Sequence, residues 1–394
     1  MIRLLVINHV TARSGGEIAL LRMIERLDKS CFDVVVALPD GTGMLPRALA
    51  AVPGVRLRVV PGANLLLSAR RFDAWPLLHL PEMVLQFLGI IWRHARVIRE
   101  ERIDVVLTNS IKSDYYGSLA AVIARRRLVW YVHDLVDHRY FPAWASRTLA
   151  WFARLPEHIL CNSSATAHAL CALGIPRQKL SIAYPAVKSV DGGRADRAAV
   201  RCSLGLDSGA PIVTLTGRIT KPKGQMQFVQ SLESVRRRIP DVVYLIVGDS
   251  MFGSYDDEYR NRVAAAIAEL PDPSCVRMLG ERADALDIVA ASDVVVFPSL
   301  WPEGFGLAVA EAMLLGIPIV ATALGGTAEL VEDGVTGLRI TPNDPPALAE
   351  AVVRLLLRPD EAARLSAAAR NRIEFLSSGD PGRIERVLLG MSAA

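Results

Sequence analysis

Short apolar runs alternate along the chain with amphipathic segments of helical length. In the first half they fall at Arg3–Asn8, Asp33–Leu38, Val55–Val60, Asp104–Thr108, Leu128–His133 and His158–Asn162. In the second half they fall at Ile212–Thr216, Val242–Val247, Val276–Leu279, Asp293–Pro298, Pro318–Ala321 and Leu338–Ile340. Most are near-continuous Val, Ile and Leu, which suits parallel strands covered on both faces. Their alternation with helices predicts βαβ units and open twisted sheets. Between the two series, Val187–Ala210 is polar and Gly-rich, has no strand pattern and marks a boundary. The expected class is therefore α/β, with two Rossmann-like, doubly wound parallel-sheet domains facing a central cleft. They are read as residues 1–188 and 189–375, with a C-terminal helix in 376–394 packing back on the first. In such sheets ligands bind beyond the carboxyl ends of the strands, so functional residues should follow strands.

Composition narrows the class. At 394 residues, 51% hydrophobic and 22% charged, the chain can bury large cores and is not disordered. Its five scattered cysteines form no C-x-x-C, which fits a reducing compartment better than a disulfide or zinc framework. The opening MIRLLVINHV is followed by no small-residue cleavage site and reads as a first strand, not a signal peptide. The longest apolar window, Met83–Trp92, is too short to span a bilayer. Charge is uneven: residues 1–190 carry 24 Lys and Arg against 14 Asp and Glu, whereas 191–394 carry 21 against 27. A basic half is open to nucleic acid, an anionic membrane or an anionic substrate. No groove-reading motif accompanies it, which argues against nucleic acid.

Several strand ends carry residues with chemistry. Gly15–Gly16–Glu17 follows the first strand and precedes an amphipathic helix, where a close backbone and a helix N-terminus favour an anion. It is not G-x-G-x-x-G, and alone it reads as a turn. Thr216–Gly224 (TGRITKPKG) places Arg218 and Lys223 between a strand and the helix expected at Gln225–Arg238. An Arg fork and a mobile Lys charge suit a diphosphate, although a solvated basic loop has the same composition. Pro298–Ala312 (PSLWPEGFGLAVAEA) carries Glu303 in a loop and Glu311 on the helix after it, spaced E-x7-E. Amides near Phe305, Gly306 and Leu307 suit phosphate oxygens, and carboxylates accept from sugar hydroxyls. Glu303 stands among Trp, Pro, Gly and Phe, where an idle charge is costly. His133, with Asp134 beside it to orient the ring, ends another strand. Gly280–Arg282 and Leu324–Glu329 are further strand–loop turns.

In this order and spacing, these motifs resemble the retaining glycosyltransferase family four, which has the GT-B fold. The run from Gly217 to Gly337 carries G-R…K-G, V-G-D, L-G, P-S…E-G-F-G…E-A, G-I-P-I-V-A-T and G-G…E…G-x-x-G. The first half adds G-G-x-E, T-N-S at Thr108–Ser110, V-H-D at Val132–Asp134 and N-S-S at Asn162–Ser164. The resemblance spans nearly the whole chain. It implies that Arg218 and Lys223 bind the donor diphosphate and stabilise the departing nucleotide. Glu311 would hold the ribose; Glu303, with the backbone of Phe305, Gly306 and Leu307, would hold sugar and phosphates. His133 would lie near the sugar, Gly16 would bring backbone to the diphosphate, and the backbone of Arg282 would lie near the base. Asn109, Ser110 and Asp134 are assigned to the acceptor side. The family's N-G-V-D turn between domains is replaced by Tyr184–Lys188 (YPAVK), to which no role transfers.

The expected activity is metal-independent transfer from a nucleotide-sugar, UDP-linked in preference, with retention. No cofactor is expected. There is no D-x-D, and Asp256–Asp257 reads as a helix start or a solvated pair. No zinc signature or G-x-S-x-G elbow occurs. The rivals are a sugar phosphorylase or epimerase on the same fold, and a non-catalytic nucleotide-binding scaffold. Pro76–Glu100 is apolar and then basic, and Arg70–Arg71 and Arg125–Arg127 add charge. That combination suits either a core helix with a charged end or an anionic membrane interface. The acceptor is left open between a lipid-linked one and a glycan or small molecule, the basic half pointing to a lipid-linked or otherwise anionic one, and the expected location is cytoplasmic, peripheral on the inner membrane face.

Overall fold

The computed structural model describes residues 1–12, 14–62, 80–136, 142–187, 196–207, 209–251, 253–378 and 382–390. The chain forms two compact units, Met1–Ala186 together with Asp380–Ala394, and Val187–Gly379.

The first unit runs β1 (Ile2–Ile7), α1 (Gly15–Arg26), β2 (Phe32–Leu38), α2 (Met44–Ala50), β3 (Val55–Val59) and α3 (Leu80–Glu100). It continues with β4 (Val105–Thr108), α4 (Ile111–Ala124), β5 (Arg127–Val132), α5 (Ala143–Phe152), β6 (His158–Cys161), α6 (Ser164–Ala172) and β7 (Leu180–Ile182). The strands form one parallel sheet in the order β3-β2-β1-β4-β5-β6-β7. Helices cover both faces, and the central strands are correspondingly rich in Val, Ile and Leu, whereas the edge strand β3 (VRLRV) is partly exposed and alternates valine or leucine with arginine. One core joins Leu5, Ile7 and Trp130 to Ile90 and Ile98 of α3, Tyr116 of α4 and Leu149 of α5. The other joins Leu4, Val6 and Tyr131 to Leu20 and Ile24 of α1 and to Leu388 near the C-terminus.

The second unit runs α7 (Arg197–Ser203), β8 (Ile212–Thr216), α8 (Gln225–Arg236), β9 (Val243–Val247), α9 (Ser254–Ala268), β10 (Val276–Gly280) and α10 (Ala285–Ala290). There follow β11 (Val294–Phe297), α11 (Leu307–Leu315), β12 (Ile319–Ala321), α12 (Thr327–Leu330), β13 (Leu338–Arg339), α13 (Pro345–Leu357) and α14 (Pro359–Ser378). Its parallel sheet has the order β10-β9-β8-β11-β12-β13. The last helix, α15 (Arg383–Leu389), belongs to the first unit, where the Arg127 guanidinium donates to Leu388 O at 2.9 Å.

Each sheet has one point where the strand order reverses, between β1 and β4 and between β8 and β11. Register levels the strand ends there. Ile7 lies opposite Thr108, Thr108 opposite Trp130, and Val132 opposite Cys161. Residues just past these strands (Asn8, Asn109, His133 and Asn162) therefore share one edge. The loops after β8 and β11 meet in the same way, at the place where open α/β sheets bind ligands.

The differences from expectation are local. The three-residue β7 is too short to show a pattern. The polar Val187–Ala210 stretch contains α7, whose buried Arg201 donates to Asp293 Oδ2 at 2.6 Å. α14 runs unbroken through Ser378, so a division at 375 cuts a helix. Pro76–His79 and Arg70–Arg71 lie outside the described residues.

Candidate active site

In the second unit, the loop after β8 turns through a single 3-10 turn, Lys221–Lys223, into Gly224. Gly224 has φ +75°, and a Cβ there would lie 2.0 Å from Pro298 O at the end of β11. Only glycine allows this approach. The Leu300 amide then donates to Pro222 O at 2.7 Å, tying the two loops together. Lys223 Nζ consequently donates to Glu303 Oε2 at 2.7 Å, and Ser299 Oγ donates to Glu303 Oε1 at 2.5 Å. Burial raises the Glu303 pKa, but Lys223, Ser299 and Arg218 together outweigh it and hold the carboxyl below the usual range. A carboxylate two cations help to ionise is a fixed acceptor for hydroxyls. Arg218 Nε lies 3.9 Å from Asp256 Oδ2, and the buried Gln225 Nε2 donates to Arg218 O at 2.9 Å.

Glu303 is held from behind by backbone. The Gly326 amide donates to Glu303 O at 2.8 Å, and a Cβ on Gly326 would lie 2.1 Å from Gly304 O. Gly306 caps α11 with no side-chain hydrogen bond, and Glu311 stands on the helix it opens. We expect Gly326→Ala to push the Glu303 loop outward, at an overpacking cost of about 1–3 kcal/mol. Thermal melts with and without UDP should show a lower melting temperature and a smaller UDP-induced rise; a wild-type UDP response would contradict this.

In the first unit, the strand-end residues form a chain of hydrogen bonds. Asn8 Nδ2 donates to Glu17 Oε1 at 3.2 Å and to Val10 O at 2.8 Å. Asn109 Nδ2 donates to Asn8 Oδ1 at 3.2 Å and reaches Gly16 O at 3.5 Å. Asn109 Oδ1 lies 2.9 Å from His133 Nε2. The polarity of this chain is set at its far end. Glu17 and the Val10 carbonyl only accept, so Asn8 must present its NH2 to them and its oxygen to Asn109. Asn109 in turn presents its oxygen to His133, which makes Nε2 the protonated nitrogen and leaves Nδ1 an acceptor. Burial lowers the His133 pKa to about 3, so the ring is neutral. The Tyr131 ring packs on it at 4.1 Å between centroids, and Asn162 Nδ2 donates to His133 O at 3.0 Å.

Comparison with known proteins matches both halves. Residues 13–189 match the family described as Glycosyltransferase Family 4, and residues 196–372 match Glycosyl transferases group 1. The chain belongs to glycosyltransferase family four. It is 26% identical over 381 residues to the D-inositol 3-phosphate glycosyltransferase of Streptomyces scabiei, covering 92% of this chain and 83% of the relative. It is 31% identical over 187 residues to a Corynebacterium glutamicum enzyme named GDP-mannose-dependent monoacylated alpha-(1-6)-phosphatidylinositol monomannoside mannosyltransferase. That match spans 45% of this chain and 46% of the relative, less than half of either. In fold it resembles Anabaena HepE, solved in complex with UDP-glucose, with a TM-score of 0.81 at 24% identity over 99% of this chain and 100% of that one.

In this family four chain, Lys223 bonds Glu303, and Arg218 lies near enough to add to the field on its carboxylate. Phe305, Gly306, Leu307 and Glu311 follow in the same loop and helix. Gly16 lies within the first turn of α1 rather than before it, and a Cβ there would make only ordinary contact with His133, at 3.7 Å. Asp134, expected to orient the imidazole, is exposed; Asn109 on the neighbouring strand end holds Nε2. Ser110 caps α4, accepting from the Ser113 amide at 3.4 Å. The Arg282 side chain is bound bidentately by Asp284 at 2.8 and 2.7 Å. Asp256, read as a helix start or solvated pair, begins α9 but is buried beside Arg218. Sequence reading did not single out Asn8, Gln225 or Ser299. A polar residue directly after an apolar strand marks Asn8 and Ser299; nothing local marks Gln225.

Proposed function

We propose that this family four glycosyltransferase moves a sugar from a nucleoside diphosphate, UDP in the first instance, to a hydroxyl acceptor with retention and without a metal ion. The observation that carries this reading is the convergence of Lys223 and Arg218 on the half-buried Glu303 at the strand-order reversal of the second unit. The bond from the anomeric carbon to the diphosphate breaks with its electron pair on the diphosphate oxygen. Lys223 and Arg218 answer that developing charge. The acceptor oxygen forms the new bond on the same face, and its proton passes to the departing diphosphate. Glu303 and the first turn of α11 hold the donor sugar and phosphates, Glu311 the ribose, and the Arg282 backbone lies near the base. His133, neutral and oriented by Asn109, offers Nδ1 to a sugar hydroxyl. Gly16 is assigned to the diphosphate and Asp134 to the acceptor, which is lipid-linked or otherwise anionic.

The base is the discriminating question, since HepE was solved with UDP-glucose and the Corynebacterium relative is named for GDP-mannose. A thermal-shift panel of UDP-, GDP- and ADP-sugars in EDTA tests the reading. UDP-sugars should give the largest stabilisation. A larger GDP or ADP response would overturn the donor, a strict need for added metal would overturn the metal-free step, and silence across the panel would overturn the whole.

A further inference from the structure

The first unit also presents a face that its donor and acceptor assignments leave unused. α3, α4 and α5 pack on the same side of the sheet, as their shared core shows. Arg99 Nη2 of α3 donates to Ile123 O near the end of α4 at 3.0 Å, and Tyr115 of α4 meets Phe152 of α5 edge-on at 4.9 Å. The outward stripe of α3 reads Leu85, Leu88, Trp92, Arg96, Arg99 at helical spacing, with Leu85 69% and Trp92 59% exposed. The outward stripe of α5 reads Trp144, Arg147, Trp151, with the tryptophans 70% and 56% exposed; Arg154 continues it past the helix end. Exposed Arg125 and Arg126 follow α4. Glu100, at the edge of the α3 stripe, is paired with Arg96 at 2.6 Å.

Exposed leucine and tryptophan cost solubility and mark a docking face. The same pairing of large apolar side chains with arginine appears independently on two helices. We propose that this face docks on an anionic lipid surface. Tryptophan and leucine enter the headgroup boundary, while arginine snorkels to lipid phosphates. Each arginine held near such a surface strengthens the attraction to it, and salt weakens that attraction. A second copy of the chain fits less well, because a twofold contact would set this basic face against itself. No helix among the described residues is long and apolar enough to cross a membrane, so the binding is peripheral.

The test is co-sedimentation of the full chain with phosphatidylcholine vesicles, with and without phosphatidylglycerol. The chain should partition onto the anionic vesicles, lose binding as salt rises, and shift its tryptophan emission to shorter wavelength on binding. Leu85→Gln with Trp92→Gln, and separately Arg96→Gln with Arg147→Gln, should each lower partitioning by about tenfold or more. Both double variants should keep the wild-type melting temperature and UDP response, which separates this outcome from misfolding and from failure of the donor reading. Equal binding to both vesicle types, or none, would overturn the proposal. So would a dimer in sedimentation velocity that these substitutions dissociate.

Discussion

Lys223→Ala is expected to lower turnover by about 10²–10³-fold, the usual scale for removing one group that answers transition-state charge. The substitution acts twice. It removes a cation from the departing diphosphate, and it strips Glu303 of the partner that contributes most to keeping its carboxyl ionised. With Ser299 and Arg218 left to oppose burial, the Glu303 pKa should rise. In wild type the folded pKa is depressed, so the carboxylate contributes stability above its unfolded pKa. That contribution disappears as pH falls through the folded value. The variant should therefore show an acid limb of activity displaced to higher pH, as well as a lower plateau. Steady-state rates across pH give both readouts. Glu303→Gln in the Lys223→Ala background should cost much less than in wild type, because the two side chains form one unit. Full activity of Lys223→Ala, or strictly additive losses, would remove this pair from the reaction.

Asn109→Ala is expected to lower turnover by about tenfold or more without changing donor binding in the second unit. Its deletion frees His133 Nε2 and breaks the chain that begins at Glu17. Imidazole nitrogen shifts in a 15N-histidine sample give the readout that a purely structural role would not move. Wild type should show His133 neutral, protonated on Nε2, from pH 8 down through the ordinary histidine range, consistent with a pKa near about 3. The variant should show a mixture of tautomers. The sign for stability is opposite to that of a salt-bridged histidine. Below about 6.5 the unfolded chain takes up a proton that the folded ring refuses, so this group withdraws stability as pH falls. A wild-type ring protonated on Nδ1, or titrating near 6.5, would refute the orientation argued from Asn8 and Glu17.

Much of this protein is legible in the chain alone. Parallel strands buried on both faces are largely apolar, so twelve of the thirteen strands among the described residues announce themselves within a residue or two of their ends. β7 escapes because three residues carry no period. Motif spacing singled out Arg218, Lys223 and Glu303 as residues of loops that follow strands, with Glu311 on the helix after the last of them, and the strand end is where an open sheet meets its ligand. What local pattern cannot supply is partnership. Lys223 and Glu303 are 80 residues apart, and Asn8 and Asn109 are 101 apart. They meet because β8 lies beside β11 and β1 beside β4, and strand order is a property of the crossovers, not of any one segment. The same reason explains Asp134 and Asp256. Adjacency in sequence suggested an orienting role for the first and a solvated one for the second. Three-dimensional packing exposed the first and buried the second beside Arg218. The sequence by itself determined which elements form and which chemistry each strand end carries. The tertiary structure decided which of those groups touch, and hence which are charged, which proton sits where, and which side chains are left to face outward.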